Sequence, residues 1–455
     1  MRYMYLILLT LLSVSAHAQA LTQDRFLNIE ELTTPSGINV WLVEDHNVPV
    51  ISLKFAFKGA GAVLAPKDKQ GLVQLLSNTM DEGAGDYDAQ SFQKTLADNS
   101  ISLSFSSGRD SFSGSLKTLT ATKPLATKLL NVALTQPRFD KEPVERMRQA
   151  NMSRIKQNMS SPDWITARLM NDVAYEGHPY ALNSGGTLST LANITSQDLK
   201  NFVDENLTLD RLYVSIAGDV TKAQASDMVD AIFSSLPKNA KTQEDLTLTI
   251  QNQGTTYLHE RPVPQASISI ILPSVRKTDP DYYAARIMNH IYGGSGFGSR
   301  LMETIREKEG LTYGIYSGLF EMDWTQGLSI STSTRNETVP KMLDLIKQEA
   351  TTLKNTPISE DELQDAKDYI LGSMPLSLTS TGALASIMLS LQLDDRPSTY
   401  LDNIDQYINA VTINDVNNVA NKLLDLDQAI TVIVGDPQNL NQDQVTKITT
   451  LPNVE

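Results

Sequence analysis

Apolar and polar residues alternate from Val50 to Phe57 and again from Ala266 to Leu272, the period of a strand with one buried face. A helical period follows each strand, over Gly71 to Met80 in one case and Pro280 to Ile291 in the other. Further on, Ile101 to Phe105 reads as a strand, and Glu142 to Met159 and Val339 to Leu353 read as long amphipathic helices. Thr195 and Thr412 each stand where a hydroxyl caps a helix, with Asp198 and Asp415 in the first turn. The runs Leu212 to Gly218 and Ile430 to Gly435 read as closing strands.

The two sets of elements are copies. Ile194 to Asn201 matches Val411 to Asn418 at an offset of 217 positions, which continues through Leu209-Asp210 with Leu426-Asp427 and Gly218-Asp219 with Gly435-Asp436. Upstream, Val48-Pro49 matches Val263-Pro264 at an offset of 215. A nearly constant spacing marks an internal duplication. The pattern predicts an α+β protein of two duplicated domains, 25–236 and 255–447, each a mixed β-sheet with helices packed on one face, joined by a polar linker at 237–254.

Composition changes the picture in three ways. Residues 1–20 read as a signal peptide, with Arg2, an apolar run from Leu6 to Leu12, and a small-x-small cleavage site at Ala16 to Ala18 or Ala18 to Ala20. This predicts an exported protein, periplasmic or fully secreted, and the absence of cysteine fits that compartment without requiring it. No later segment is apolar for long enough to span a bilayer. A formal charge of −15 argues against nucleic acid and anionic membrane surfaces as partners.

The segment richest in chemistry is Arg306 to Tyr313, which follows a glycine-rich run from Gly293 to Gly298. Arg306 falls near the end of a predicted helix over Arg300 to Glu309 that Gly310 terminates, and Tyr313 falls in a predicted strand over Leu311 to Ser317. A guanidinium and a phenol at a helix-to-strand corner can hold a carbonyl oxygen or an oxyanion. The bland alternative is a surface cation and a packed tyrosine. The glycine run lacks the Lys-Ser/Thr of a phosphate loop and follows a helix, so it reads as a helix break or a lip over a chamber.

These features together resemble the pitrilysin/insulinase family, whose zinc peptidases are inverted zincins. The resemblance rests on Gly177-His178-Pro179-Tyr180 with Gly186-Thr187, on the two Gly-Asp strand ends, and above all on Ser299-Arg300-Leu301 with Arg306 to Tyr313. It covers nearly the whole chain beyond the signal. It implies paired domains forming a half-shell around a peptide chamber, with zinc held by a His-x-x-Glu-His helix and a later Glu.

This chain departs from that zinc motif throughout. Aligned from Gly71-Leu72-Val73, the family's two histidines fall on Gln74 and Asn78 and its catalytic Glu on Ser77. Counting onward by the family's spacing places the third ligand at Arg154. Amides are poor zinc ligands and an arginine would repel the ion. Beyond the signal the histidines are His46, His178, His259 and His290, no two at helical-pair spacing, and each has an ordinary packing or capping role open to it.

Two functions follow from the resemblance. In one, the chain is a non-catalytic subunit of a heteromeric zinc metallopeptidase. It binds no cofactor itself and sets Arg306 and Tyr313 against a zinc held by a paralogous partner that carries His-x-x-Glu-His, with unstructured peptides as substrates. In the other, the chain is a peptide-binding or scaffold protein of the same fold with no part in hydrolysis.

Overall fold

The computed structural model describes residues 25–240, 246, 248–441, 443 and 445–451. The expected signal peptide at 1–20 and residues 241–245 and 247 of the expected linker lie outside the described residues. The chain forms two six-stranded mixed sheets. The first contains β1 (Glu30–Thr33), β2 (Asn39–Glu44), β3 (Val50–Lys58), β4 (Ser102–Ser107), β5 (Ser111–Leu119) and β6 (Leu212–Gly218), in the spatial order β1-β2-β6-β3-β5-β4. The second contains β7 (Thr256–Glu260), β8 (Gln265–Pro273), β9 (Ile315–Met322), β10 (Thr325–Arg335), β11 (Ile430–Gly435) and β12 (Val445–Lys447), in the order β12-β7-β11-β8-β10-β9.

From β2 and β7 onward the two orders are the same, so the duplication visible in the sequence is a duplication of topology. The outermost slot is filled differently: β1 runs antiparallel to β2, whereas β12 runs parallel to β7.

Among the described residues, eight α-helices belong to the first half: α1 (Leu72–Ser77), α2 (Ala89–Asp98), α3 (Lys123–Thr135), α4 (Lys141–Asn158), α5 (Pro162–Ala174), α6 (Leu188–Asn193), α7 (Ser196–Asn206) and α8 (Lys222–Phe233). Six belong to the second: α9 (Tyr282–Asn289), α10 (Val339–Asn355), α11 (Glu360–Ser373), α12 (Thr381–Leu393), α13 (Ile404–Asn409) and α14 (Ile413–Leu423). The matched helices α7 and α14 start with the same device. Thr195 and Thr412 accept from the backbone N–H of Asp198 and Asp415, whose carboxylates accept in return from the threonine N–H.

Strand alternation decides which face of each sheet its own helices cover. Ile51, Leu53, Phe55 and Phe57 of β3 join the core beneath α1, α3, α7 and α8, and Ala266, Ile268, Ile270 and Leu272 of β8 join the core beneath α9, α10 and α14. The pattern-based expectation of helices on one face holds for each half's own helices but leaves the other face open. The structure covers that face with a helix from the opposite half. Helix α12 lies on the first sheet, where Ala385 and Met388 are fully buried beside Trp41 and Ala217. Ser215 Oγ donates to Ala385 O at 2.7 Å, Gln392 Nε2 donates to Val214 O at 3.1 Å, and the hydroxyls of Ser52 and Thr381 lie 2.9 Å apart. In return, α5 places Ile165 and Leu169 against Ile271, Ile430, Val432 and Val434 of the second sheet.

The same junction explains the Gly177 to Tyr180 motif. His178 Nδ1 accepts from the Tyr180 N–H at 3.1 Å, and its Nε2 lies 2.7 Å from Leu246 O, so Nε2 carries the proton and donates. Burial lowers the His178 pKa and keeps the ring neutral. Tyr180 packs 5.7 Å from Trp324 of the β9–β10 turn, and its hydroxyl bonds Asp110 of the β4–β5 turn. Asp110 also accepts from the Asp323 N–H at 3.3 Å, joining the two equivalent hairpins. Leu246, Leu248 and Ile250 of the linker pack into this interface.

Candidate functional site

Three of the four positions read as a lost zinc site, Gln74, Ser77 and Asn78, come together on α1 and its C-cap. Gly71 allows the helix to start there: its φ is +87°, and a Cβ on it would come within 2.8 Å of Gly185 O. Gln74 and Asn78 then share one face at i, i+4. Gln74 Nε2 donates to Asn78 Oδ1 at 2.8 Å and lies 3.4 Å from Ser77 Oγ, while Gln74 Oε1 accepts from Ser107 Oγ at 3.1 Å. The fourth member is Asn151 of α4, whose Nδ2 lies 3.4 Å from Asn78 Oδ1.

That contact corrects the sequence reading, which put Arg154 at this corner. The buried stripe of α4 is Val144, Asn151 and Ile155, and Arg154 is exposed on its flank. The turns between α1 and α4 set which residue arrives, and a fixed count along the chain misses it by three positions. The corner holds a neutral amide rather than a cation.

Three amides and a hydroxyl satisfy one another and do not fit zinc, which requires imidazole, thiolate or carboxylate. Among the described residues no three His, Asp or Glu side chains are grouped to hold a metal. The histidines are dispersed. His46 is an exposed ring between Asp219 at 2.8 Å and Glu44 at 3.2 Å, which raise its pKa. His259 Nδ1 is 2.9 Å from Ile448 O, and His290 lies tilted against Tyr369 with ring centres 4.9 Å apart.

Geometry here makes a testable statement about the third corner. Gln74→His, Asn78→His and Asn151→Glu together are expected to create Zn²⁺ binding at roughly micromolar or tighter affinity. The same two histidines with Arg154→Glu are expected to bind no better than the native chain. Calorimetric titration with zinc decides it, and equal affinity for the two variants would remove Asn151 from the corner.

The second cluster is the Arg306 to Tyr313 corner. The glycine run is a helix break, flanked by two π-helical segments, His290–Gly294 and Met302–Lys308. Ser295 N–H donates to His290 O at 3.1 Å and Glu309 N–H to Thr304 O at 3.2 Å, five residues back in each case. Met302 and Ile305 are fully buried, and Arg300 makes a two-pronged pair with Glu362 of α11 at 2.8 and 2.7 Å. This fixes the segment that carries Arg306. Gly310, at φ +62°, ends it as the sequence predicts, with its N–H on Arg306 O at 3.1 Å.

The Arg306 guanidinium carbon lies 4.4 Å from the centre of the Phe297 ring, a cation–π contact supplied by the glycine-rich run. Sequence reasoning missed that partner, although a lone aromatic among glycines is a visible signal. Tyr313 does not open a strand: β9 begins at Ile315, and Tyr313 stands at the tip of the turn before it. Thr312 Oγ1 spans the turn, accepting from Gly314 N–H at 3.0 Å and donating to Gly314 O at 2.9 Å, and Thr332 buttresses the same carbonyl at 3.0 Å. Tyr313 is 86% exposed as a result. No hydrogen bond joins Arg306 to Tyr313. The structure presents two braced, outward-facing donors with no acceptor of their own among the described residues.

Residues 193–370 match the model of the peptidase M16 inactive domain. A non-peptidase homolog from Helicobacter pylori is 26% identical over 334 residues, covering 73% of this chain and 77% of the relative. The mitochondrial-processing peptidase subunit beta of Saccharomyces cerevisiae is 22% identical over 342 residues, covering 72% and 74%. The crystal structure of a peptidase M16 inactive domain from Pseudomonas fluorescens superposes with a TM-score of 0.84 at 25% identity, covering 91% of this chain and all of that one.

Proposed function

We propose a function from the premise that the chain belongs to the pitrilysin/insulinase family, the M16 peptidases, as an inactive member. It acts as the non-catalytic subunit of an exported zinc metallopeptidase whose metal sits in a paralogous partner carrying His-x-x-Glu-His. The partner's metal would supply the nucleophile. Arg306 and Tyr313 hold the substrate carbonyl oxygen and donate to the negative charge that develops on it. The observation that carries this reading is the contrast between the two clusters. The amides on α1 are closed on one another, whereas the Arg306–Tyr313 corner is braced from behind and offers its donors outward. A relative named as a peptidase subunit supports a shared assembly.

The relative named a non-peptidase homolog favours a second reading, a peptide-binding or scaffold protein of the same fold. The two part company in one assay. The chain purified alone is expected to leave an unstructured peptide intact. Mixed with an exported paralogue bearing the zinc motif, it is expected to support cleavage that a chelator abolishes. A paralogue equally active without this chain would reject the subunit reading and leave the scaffold.

A further inference from the structure

Helix α5 separates two clefts. The one on the first-half side, of about 350 Å³, is walled by Arg109, Trp164, Arg168, Asn171, Asn183 and Ser184, and no carboxylate lines it. Trp164, Arg168 and Asn171 stand at i, i+4 and i+7, so one stripe of the helix forms the wall. We infer that this cleft binds a carboxylate of a peptide ligand, with Arg109 and Arg168 as its charged donors. The inference goes beyond the subunit reading and is tested without a partner.

The donors are set in place and partly unused. Arg109 is braced against the rings of Tyr175 and Tyr180, at 6.0 and 5.6 Å, and its Nη1 donates to Tyr180 O at 2.6 Å. Its Nε and Nη2 have no hydrogen-bond partner among the described residues. Arg168 is 7% exposed; its Nη2 donates to Asp172 Oδ1 at 2.6 Å and Ala181 O at 2.8 Å, and its Nη1 to Leu182 O at 3.4 Å, yet its buried Nε has no partner among the described residues. An unsatisfied buried N–H is costly, and arginine forks match carboxylates. The Asn171 amide and Ser184 hydroxyl likewise have no protein partner among the described residues. The nearby acids point elsewhere, Asp172 to Arg168 and Asp110 to the Tyr180 hydroxyl.

An extended ligand fits better than a small free anion, because the cleft continues in both directions. Ser107, in its wall, bonds Gln74 of the amide cluster. Ala167 is shared with the cleft across α5, of about 400 Å³, which Gly314 and Tyr316 line beside Tyr313. A peptide held by a carboxylate at Arg109 has a path across α5 toward the Arg306–Tyr313 corner.

The test is fluorescence anisotropy on the intact chain with three labelled peptides of ten residues, rich in Gly, Ser and Ala. One ends in a free carboxylate, one in an amide, and one in an amide with a single internal Glu. The free acid is expected to bind about 10–100-fold more tightly than the plain amide, the size of charge-assisted hydrogen bonds lost or gained. Arg109→Gln is expected to erase that difference, and Ser184→Ala and Asn171→Leu, which leave the guanidinium packing intact, to reduce it. Equal tight binding of the internal-Glu peptide would assign the site to side-chain carboxylates. Equal affinity of all three peptides, or an acid preference that survives all three substitutions, would overturn the inference.

Discussion

Arg306→Ala and Tyr313→Phe are each expected to lower turnover of the reconstituted peptidase by roughly 10²–10³-fold, the loss that follows removal of one oxyanion donor. The fall should appear in kcat more than in KM, because both groups gain their interaction as charge develops on the carbonyl. Neither change should disturb assembly. Tyr313 is 86% exposed, and Arg306 touches the fold through the Phe297 ring, not through an ion pair. Phe297→Leu supplies the control: losing a cation–π contact of about 0.5–1 kcal/mol should cost only a few-fold. Full turnover in both primary variants, with the partner still bound, would remove this corner from the reaction.

Met388→Ala is expected to be strongly destabilising, costing roughly 2–5 kcal/mol. The residue is fully buried, and it belongs to a second-half helix packed on the first-half sheet. Its effect should therefore cross the midline. Urea unfolding should remain a single transition at a lower midpoint, and hydrogen exchange should speed up in β3 and β6 as well as in α12. Two separated transitions, or β3 and β6 protection unchanged from the native chain, would contradict the coupling of the halves.

Much of this fold is legible in the sequence because its signals are local. Strand alternation, the paired caps at Thr195 and Thr412 and the constant offset between halves each depend on a few neighbouring residues, and each recurs in the structure. Gly310 ends its helix for a local reason too. What escaped reading is set by tertiary packing. An apolar face says that something covers it but not what, so the exchange of α5 and α12 was invisible. A clue existed in Thr381 to Leu393, apolar nearly all round, as a helix buried on several sides must be. Arg154 was misplaced because helix phase and intervening turns, rather than residue count, bring Asn151 to Asn78. Tyr313 left its predicted strand because Thr312 spends its hydroxyl on the turn.

The exchanged helices also bear on how the chain can be divided. Residues 25–236 expressed alone would lack α12 and bare the apolar patch around Trp41 and Ala217 that it covers. Residues 255–451 alone would lack α5 and bare Ile271, Val432 and Val434. Exposed sheet faces of that kind drive aggregation. The two copies share one strand order from β2 and β7 onward, yet neither is a portable module, and a break between them would yield two insoluble fragments instead of two domains.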